Sequence, residues 1–147
     1  MRLVRDISQL EQLQNGSVAT IGNFDGLHLG HQIILDQLSE HATNLQLPKV
    51  VISFEPLPIE YFSGHKSQRV YPFRDKVRYL SQLGVDYFLC LRFDNKLANM
   101  PADQFIQQLL FQIANVRHQM WHSPYYGPEQ EEPKRSDECS DECSRDD

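Results

Sequence analysis

The 147-residue sequence contains no run of about 18 apolar residues, which excludes a membrane-spanning helix of ordinary length. It also lacks an uninterrupted apolar stretch near its start, so the first 13 residues are unlike a secretory signal. Basic residues are not in excess, since 14 Lys and Arg stand against 20 Asp and Glu for a formal net charge of −6. A basic surface for nucleic acid is therefore not expected. Together these absences predict a cytoplasmic protein with neither a membrane nor a nucleic-acid partner.

Aliphatic side chains are missing from the C-terminal part of the sequence. No Leu, Ile or Val follows Val116, and residues 114–147 carry a net charge of −5, against −1 for residues 1–113. A segment this rich in Glu, Asp, Ser and Pro cannot bury enough apolar surface to offset the entropy cost of ordering it. We therefore predict a folded domain over residues 1–113 and a disordered acidic tail over residues 114–147.

Cysteine is scarce, with three residues in all. Cys90 lies in an apolar run and is expected to be a small buried side chain. Cys139 and Cys143 form a C-x3-C pair in the acidic tail without a second pair of ligands, whereas a structural zinc ion usually takes four. We interpret these two residues as exposed thiols and predict no metal site built from the protein's own side chains.

Segments of strand and helix character alternate along the first 113 residues. Strands are predicted at 18–24, 49–54 and 85–91, where apolar residues run continuously, as in strands buried on both faces of a parallel sheet. Helices are predicted at about 28–43, 72–83 and 101–113 from the spacing of their apolar residues. Residues 59–71 have only weak periodicity and are interpreted as a loop. The alternation predicts an α/β Rossmann-like fold with a parallel sheet and right-handed crossovers.

The join between the first predicted strand and the first predicted helix has an unusual composition. From Thr20 to Gln32 it reads T-I-G-N-F-D-G-L-H-L-G-H-Q. Glycine lets the backbone turn sharply and lets a phosphate approach closely, because it has no Cβ. The free N–H groups and the positive dipole end of the following helix favour an anion. His28 and His31 are three residues apart, so they share one helix face. The join is therefore predicted to bind phosphate; the alternative is two histidines on an ordinary exposed helix.

The same residues carry a family resemblance. The pattern G-x-F-D-G-x-H-x-G-H-Q, from Gly22 to Gln32, resembles the nucleotidyltransferase signature of bacterial FAD synthetases, the N-terminal part of the bifunctional riboflavin kinase/FMN adenylyltransferases. Further segments follow the family pattern in order: S-F-E-P at 53–56, R-D-K at 74–76, G-V-D at 84–86 and F-D at 93–94. The H-x-G-H core alone is shared with pantetheine-phosphate and nicotinate-nucleotide adenylyltransferases. The additional segments favour the flavin family.

This resemblance implies an activity and a set of site residues. It implies transfer of AMP from ATP to FMN with Mg²⁺, which gives FAD and pyrophosphate. His28 and His31 would be the catalytic residues, because they would donate hydrogen bonds to the triphosphate and stabilise its charge. The phosphates of ATP would be bound by residues of the join, namely Gly22, Asn23, Phe24, Asp25, Gly26 and Gly30. Asp25 would either help to hold Mg²⁺ or cap the helix.

Two further pairs of residues are less specific. Glu55 and Pro56 end the second predicted strand at the same edge of the sheet, so they either border the flavin site or only stop the strand. Arg74 and Lys76 could reach a phosphate, but a solvated helix face is the favoured interpretation. We therefore keep Glu55 and Pro56 as flavin-side residues and assign no role to the other pair.

The resemblance stops near residue 112. The family has a G-D-D-F-R-F-G-type segment where this sequence has Asn115 to His122, and the family's I-S-S-T-x-I-R phosphate motif and riboflavin kinase domain are absent from these 147 residues. We expect the residues from about 112 onward to be unrelated to the fold, as in a truncated or frameshifted reading frame, and the sheet to be incomplete on its C-terminal side. The expected function is FAD synthesis with little or no turnover. The alternatives are an inactive fragment that still binds nucleotide, or another adenylyltransferase such as a pantetheine-phosphate adenylyltransferase.

Overall fold

The computed structural model describes residues 1–13, 15–26, 29–105, 107–108 and 121–122. The described strands form one sheet in the order β1-β4-β3-β2-β5, and every pairing is parallel. These strands are β1 (Arg2–Val4), β2 (Val18–Ile21), β3 (Lys49–Glu55), β4 (Tyr87–Arg92) and β5 (Trp121–His122). The predicted α/β fold with a parallel sheet is confirmed.

Helices connect the strands and cover both faces of the sheet. The described helices are a 3₁₀ helix (Ile7–Leu13), α1 (Leu29–Leu45), α2 (Pro58–Ser63), α3 (Phe73–Gln82), α4 (Asn95–Ala98) and α5 (Ala102–Phe105). Among them, none combines the length and the apolar character that a bilayer crossing requires.

Two strand boundaries differ from the prediction. The first strand ends at Ile21 rather than at residue 24, because Phe24 adopts a left-handed backbone with φ of 47°, which no extended strand contains. The third predicted strand begins at Tyr87 rather than at residue 85. The N–H of Val85 instead donates to the Leu80 carbonyl (3.2 Å) at the end of α3. The short edge strand β1 was not predicted, because three residues are too few for a pattern to be read.

The loop prediction at 59–71 is partly wrong, since α2 occupies Pro58–Ser63. Pro58 at the first helical position and Gly64 after the last, with φ of 68°, are the usual start and stop signals of a helix. Six residues were too few to show helical periodicity. The helix predicted at 101–113 is described as α5 up to Phe105, and most of its remainder lies outside the described residues.

The predicted tail also lies outside the described residues, except for β5. Trp121 and His122 pair with Thr20 and Ile21 of β2, although they come after the predicted domain boundary at 113. The expectation that residues from about 112 onward are unrelated to the fold is therefore wrong for these two residues, while the boundary at 113 and the disorder of the tail stay predictions.

Side chains from both faces of the sheet are buried. One cluster lies on the side of the 3₁₀ helix and contains Val4, Leu10, Leu13, Ala19, Val50, Ile52, Leu89 and Leu91. The other lies on the side of α1 and α3 and contains Val18, Phe24, Leu35, Leu38, Ala42, Val51, Leu80, Val85, Phe88 and Cys90. Successive residues of β3 alternate between the two clusters, as the pleat of a strand requires. The predicted burial of Cys90 is confirmed, with 1% of the residue exposed.

The order of the strands reverses beside β2. The chain passes from β2 to β3 and β4 in one direction, and β5 then lies on the other side of β2. In open parallel sheets, ligands bind outside the carboxyl ends of the strands at such a reversal. The segment that leaves β2 therefore lies where this fold favours a ligand.

Leu80→Ala tests the packing of α3 on the sheet. Leu80 is fully buried, so we expect the cavity to lower the free energy of unfolding by about 2–5 kcal/mol in urea denaturation. Leu29→Ala is the matched control, because Leu29 lies on a helix but is 76% exposed; its effect should stay within about 0.5 kcal/mol. Equal losses in the two variants would contradict the described packing.

Candidate active site

Residues 22–26 form a turn, here called the β2–α1 turn, that leaves the carboxyl end of β2. The N–H of Gly22 still donates to the carbonyl of Ile52 (3.0 Å), so the ladder with β3 extends one residue past the strand. A Cβ at Gly22 would lie 2.8 Å from the ring of Phe24, and a Cβ at Gly26 would lie 3.2 Å from Val70. Glycine at these two positions therefore allows the turn to pack closely against its neighbours.

Phe24 and His31 pack against each other at the start of α1. Phe24 is 1% exposed, and its ring centroid lies 5.1 Å from that of His31 with the planes tilted by 43°. His31 and Gly30 belong to the first turn of α1, where free backbone N–H groups are found. His31 therefore lies beside the turn as predicted. His28 lies outside the described residues, so its predicted pairing with His31 stays a prediction.

The carbonyl oxygen of Asn23 accepts hydrogen bonds from two side chains. Nζ of Lys76, on α3, lies 2.6 Å away, and Oγ of Ser53, on β3, lies 3.4 Å away. Lys76 is 4% exposed, and burial lowers the pKa of its ammonium while the charge of Asp25 opposes that change. The favoured interpretation of Lys76 as a solvated residue is wrong, because α3 turns this side chain under the β2–α1 turn. Arg74, on the same helix, is exposed as expected.

The carboxylate of Asp25 binds the backbone of a distant loop. Oδ1 accepts from the N–H groups of Val70 (3.2 Å) and Tyr71 (3.3 Å), and Oδ2 lies 3.3 Å from the Val70 nitrogen. Gly26, the next residue, has a φ of 80°, which is not helical, so Asp25 is not the N-cap residue of α1. The helix-cap interpretation is therefore wrong. Asp25 fastens the loop before α3 to the β2–α1 turn instead.

Glu55 takes part in an ionic network at the carboxyl end of β3. Arg69 binds Glu55 with two nearly parallel hydrogen bonds (2.9 and 2.7 Å) and also donates from Nε to Glu60 (2.9 Å). Glu60 is 6% exposed and accepts further bonds from the N–H of Leu57 (3.0 Å) and from Ser67. The hydrogen bonds from Arg69 lower the pKa of Glu60 to about 2, against the opposing effect of burial. The network fixes the segment 57–69 against the end of β3.

A cluster of aromatic side chains lies near Glu55 and Pro56, at the carboxyl end of β3. Its members are Phe54, Tyr61, Phe62 and Phe93. The Tyr61 and Phe93 ring centroids are 5.3 Å apart at 74°, and Phe62 lies 5.8 Å from Phe93 while remaining 69% exposed. Glu55 is the last residue of β3 and Pro56 follows it, so the strand ends at these two residues as predicted. An exposed aromatic side chain, Phe62, thus lies in the ring cluster near the end of β3.

The thiol of Cys90 belongs to the same buried cluster as the Phe24 ring. Burial raises the pKa of the Cys90 thiol beneath the site, which keeps it protonated. Within the described residues, no group of three or more His, Cys, Asp or Glu side chains could hold a metal ion. The arrangement is suited to binding and orienting an anionic ligand.

Sequence reasoning located the turn but missed the residues that support it. Arg69, Ser53 and the aromatic pair on α2 were not singled out, and Lys76 was assigned to solvent. The capping signals of α2 could have identified the aromatic pair. No local signal in the sequence indicates the contact between Lys76 and Asn23, because the two residues are 53 positions apart.

Glu60→Gln tests the ionic network. The pKa of Glu60 is about 2 in the folded chain against an ordinary 4.5, so the stabilisation is present above pH ~4.5 and is lost as the pH falls toward about 2. We expect the variant to lose about 2 kcal/mol of unfolding free energy near neutral pH, and the deficit to shrink across that acidic range. Urea denaturation at a series of pH values measures this, with Glu40→Gln at an exposed residue of α1 as the control. A deficit that stays constant through the range would count against the network.

Comparisons with known proteins agree with this geometry. The family model described as FAD synthetase matches residues 10–121. The chain is 45% identical over 119 residues to the bifunctional riboflavin kinase/FMN adenylyltransferase of Escherichia coli strain K12, and 41% identical over 118 residues to that of Haemophilus influenzae. Each match covers 80% of this chain, which spans 38% of the length of either relative.

A solved structure supports the fold alone. The crystal structure of a macrolide-efflux protein from Streptococcus pneumoniae superposes with a TM-score of 0.64 at 22% identity, covering 76% of this chain and 38% of that chain. The family match, by contrast, extends over the β2–α1 turn, His31 and the network around Glu55. The chain therefore belongs to the FAD synthetase family.

Proposed function

We propose that this chain carries the adenylyl-transfer part of FAD synthesis, in which ATP and FMN give FAD and pyrophosphate. The observation that carries the proposal is the β2–α1 turn, which lies at the reversal of strand order and leads into a 17-residue helix with His31 in its first turn. The family membership supports the same reaction, and the matched relatives are named for it.

The triphosphate of ATP is proposed to lie on the β2–α1 turn, in contact with residues 22–26 and with Gly30. Gly22 and Gly26 let the turn pack closely against Phe24 and Val70, and the first turn of α1 offers N–H groups and a positive dipole. A phosphate oxygen of FMN forms the new bond to the α-phosphorus of ATP, and the bond to the β-phosphate oxygen breaks. The nucleophile is already an anion, so the protein needs no general base. Its contribution is orientation and charge stabilisation.

His31 is the described residue proposed to act on the reacting phosphates. Contact with the buried Phe24 ring orients its imidazole, and Nδ1 is buried, so Nε2 is the ring nitrogen proposed to donate to a phosphate oxygen. His28 is proposed to act beside it. The two donors would stabilise the charge that develops on the departing pyrophosphate.

Mg²⁺ is proposed to be held mainly by the oxygens of ATP itself, where it neutralises phosphate charge. Magnesium in nucleotide sites usually takes one or two carboxylates and keeps several waters. The Asp25 carboxylate accepts backbone N–H groups through both oxygens, which fits a residue that orients the turn better than one that binds the ion. We therefore assign Asp25 to the architecture of the phosphate site.

The flavin ring of FMN is proposed to lie against the aromatic group near Glu55 and Pro56. Most of the Phe62 side chain is exposed in the free chain. The planar flavin ring could stack on this exposed aromatic ring and cover it. The neighbouring strands β2 and β3 would then hold the two substrates side by side. A cytoplasmic location and the absence of a nucleic-acid partner stay predictions.

FAD formation by the purified chain from FMN and Mg-ATP is the direct test. We expect His31→Asn to lower the rate by at least about 100-fold, because a donor to the developing charge is lost. His41→Asn is the control, since it lies ten residues along α1, about 15 Å from His31. Equal rates for wild type and His31→Asn would contradict the assigned role.

The same assay tests the expectation of little turnover, which rests on the missing I-S-S-T-x-I-R motif. If no FAD forms, a rise in melting temperature with Mg-ATP would favour the alternative of a fragment that only binds nucleotide. If the chain forms no FAD and its melting temperature does not rise with Mg-ATP, the proposed function is contradicted.

Phe62→Ala tests the flavin side. We expect the affinity for FMN, measured by fluorescence quenching, to fall about two- to tenfold, because a stacked pair of aromatic rings is worth about 0.5–1.5 kcal/mol. Folding stability should change little, since Phe62 is 69% exposed. Ile33→Ala, at an exposed residue of α1, is the control. Unchanged FMN affinity in Phe62→Ala would exclude this surface.

A further inference from the structure

Lys76 is a buried cation whose position is not explained by packing. The residue is 4% exposed, and within the described part of the chain its side chain has one hydrogen bond, from Nζ to the carbonyl oxygen of Asn23 at 2.6 Å. Removing an ammonium from water costs several kcal/mol unless other groups compensate for it. A methionine would occupy the same space without that cost. We therefore expect the ammonium to have a role in the structure of the turn, through the Asn23 carbonyl that it contacts.

That group is the peptide between Asn23 and Phe24. In a trans peptide the C=O and N–H bonds point in opposite directions. A carbonyl held by Lys76 and by Ser53 therefore directs the N–H of Phe24 away from α3. Phe24 has a φ of 47°, a conformation that a bulky residue adopts only when its surroundings impose it. The Lys76 contact is one such constraint at this point of the turn.

The charge of Lys76 acts along the same peptide. A cation on the carbonyl oxygen polarises the peptide and makes its N–H a stronger donor. Asp25, two residues further along, balances the buried charge and fastens the opposite end of the turn to Val70. The turn is thus held at the Asn23 carbonyl by the Lys76 ammonium and at the Asp25 carboxylate by the backbone N–H of Val70.

We propose that Lys76 is a positioning residue for adenylyl transfer: it orients and polarises the Asn23–Phe24 peptide so that the turn receives the triphosphate. The proposal rests on the proposed function for its ligand, but the orientation of the peptide can be tested without substrate. Lys76 does not touch the reacting atoms in this arrangement.

The first test is NMR on the full chain without substrate. Lys76→Met keeps the length and volume of the side chain and removes the charge and the donor. We expect the carbonyl carbon resonance of Asn23 and the amide resonance of Phe24 to move, while the resonances of residues 35–45 in α1 stay in place. Lys49→Met, the same change at the opposite end of β3, should leave the turn unchanged. An unmoved Asn23 carbonyl in Lys76→Met would overturn the proposal.

The second test is substrate affinity by calorimetry. We expect Lys76→Met to weaken Mg-ATP binding about tenfold and to leave FMN binding unchanged, a split that general loss of structure would not produce. Ser53→Ala removes the weaker bond to the same carbonyl and should act in the same direction by a smaller factor, which keeps the test decisive if Lys76→Met does not fold. Equal weakening of the binding of both substrates would overturn the proposal.

A wild-type chain that binds neither substrate would refute the proposed function, and the NMR result would still decide the role of Lys76 in the turn.

Discussion

The site depends on the parallel pairing of β2 with β3, which continues one hydrogen bond past the end of β2. The bond from the Gly22 N–H to the Ile52 carbonyl fixes the position at which the chain leaves the sheet. Two residues later Phe24 takes a left-handed conformation and buries its ring against His31. The backbone of the turn is thereby directed before any ligand arrives. The proposed adenylyl transfer depends mainly on the orientation of its substrates, and such preorganisation is how the protein would contribute to the rate.

Three loops meet at this edge of the sheet, and carboxylates rather than apolar contacts join them. Asp25 binds the N–H groups of Val70 and Tyr71, and Glu60 binds Arg69 together with the backbone of Leu57. Arg69 also holds Glu55, so the residues 69–71 are attached to the ends of both β2 and β3. Charge-assisted hydrogen bonds have narrow geometry, and they can order a surface loop that has too few apolar side chains to form a core. The β2–α1 turn and the segment that carries α2 are therefore connected through residues 69–71.

Much of this arrangement could be predicted from short stretches of sequence, because the determinants were local. The apolar runs indicated the buried parallel strands, and the glycines between Gly22 and Gly30 indicated a turn at the end of β2. That this turn binds phosphate stays a prediction. The left-handed conformation of Phe24 was missed, since nothing in a phenylalanine favours a positive φ. The burial of Lys76 and the contacts of Asp25 and Arg69 were missed for another reason. Each joins residues far apart in the chain, and the pattern along α3, which favoured a solvated face for Lys76, contains no information on what lies opposite that residue.

The ionic groups at this edge also limit how a triphosphate can be held. Within the described part of the chain, the network and the turn contain three carboxylates, from Asp25, Glu55 and Glu60, and two buried or half-buried cations, Lys76 and Arg69. Both cations are already engaged, Arg69 by two carboxylates and Lys76 by a carbonyl. Neither is therefore a ready partner for phosphate, and the network itself is slightly negative. The attraction for the proposed nucleotide would have to come from backbone N–H groups, the start of α1, the imidazoles and the magnesium carried by ATP. Gly22 and Gly26 serve this arrangement indirectly, because they let the turn pack closely against Phe24 and Val70.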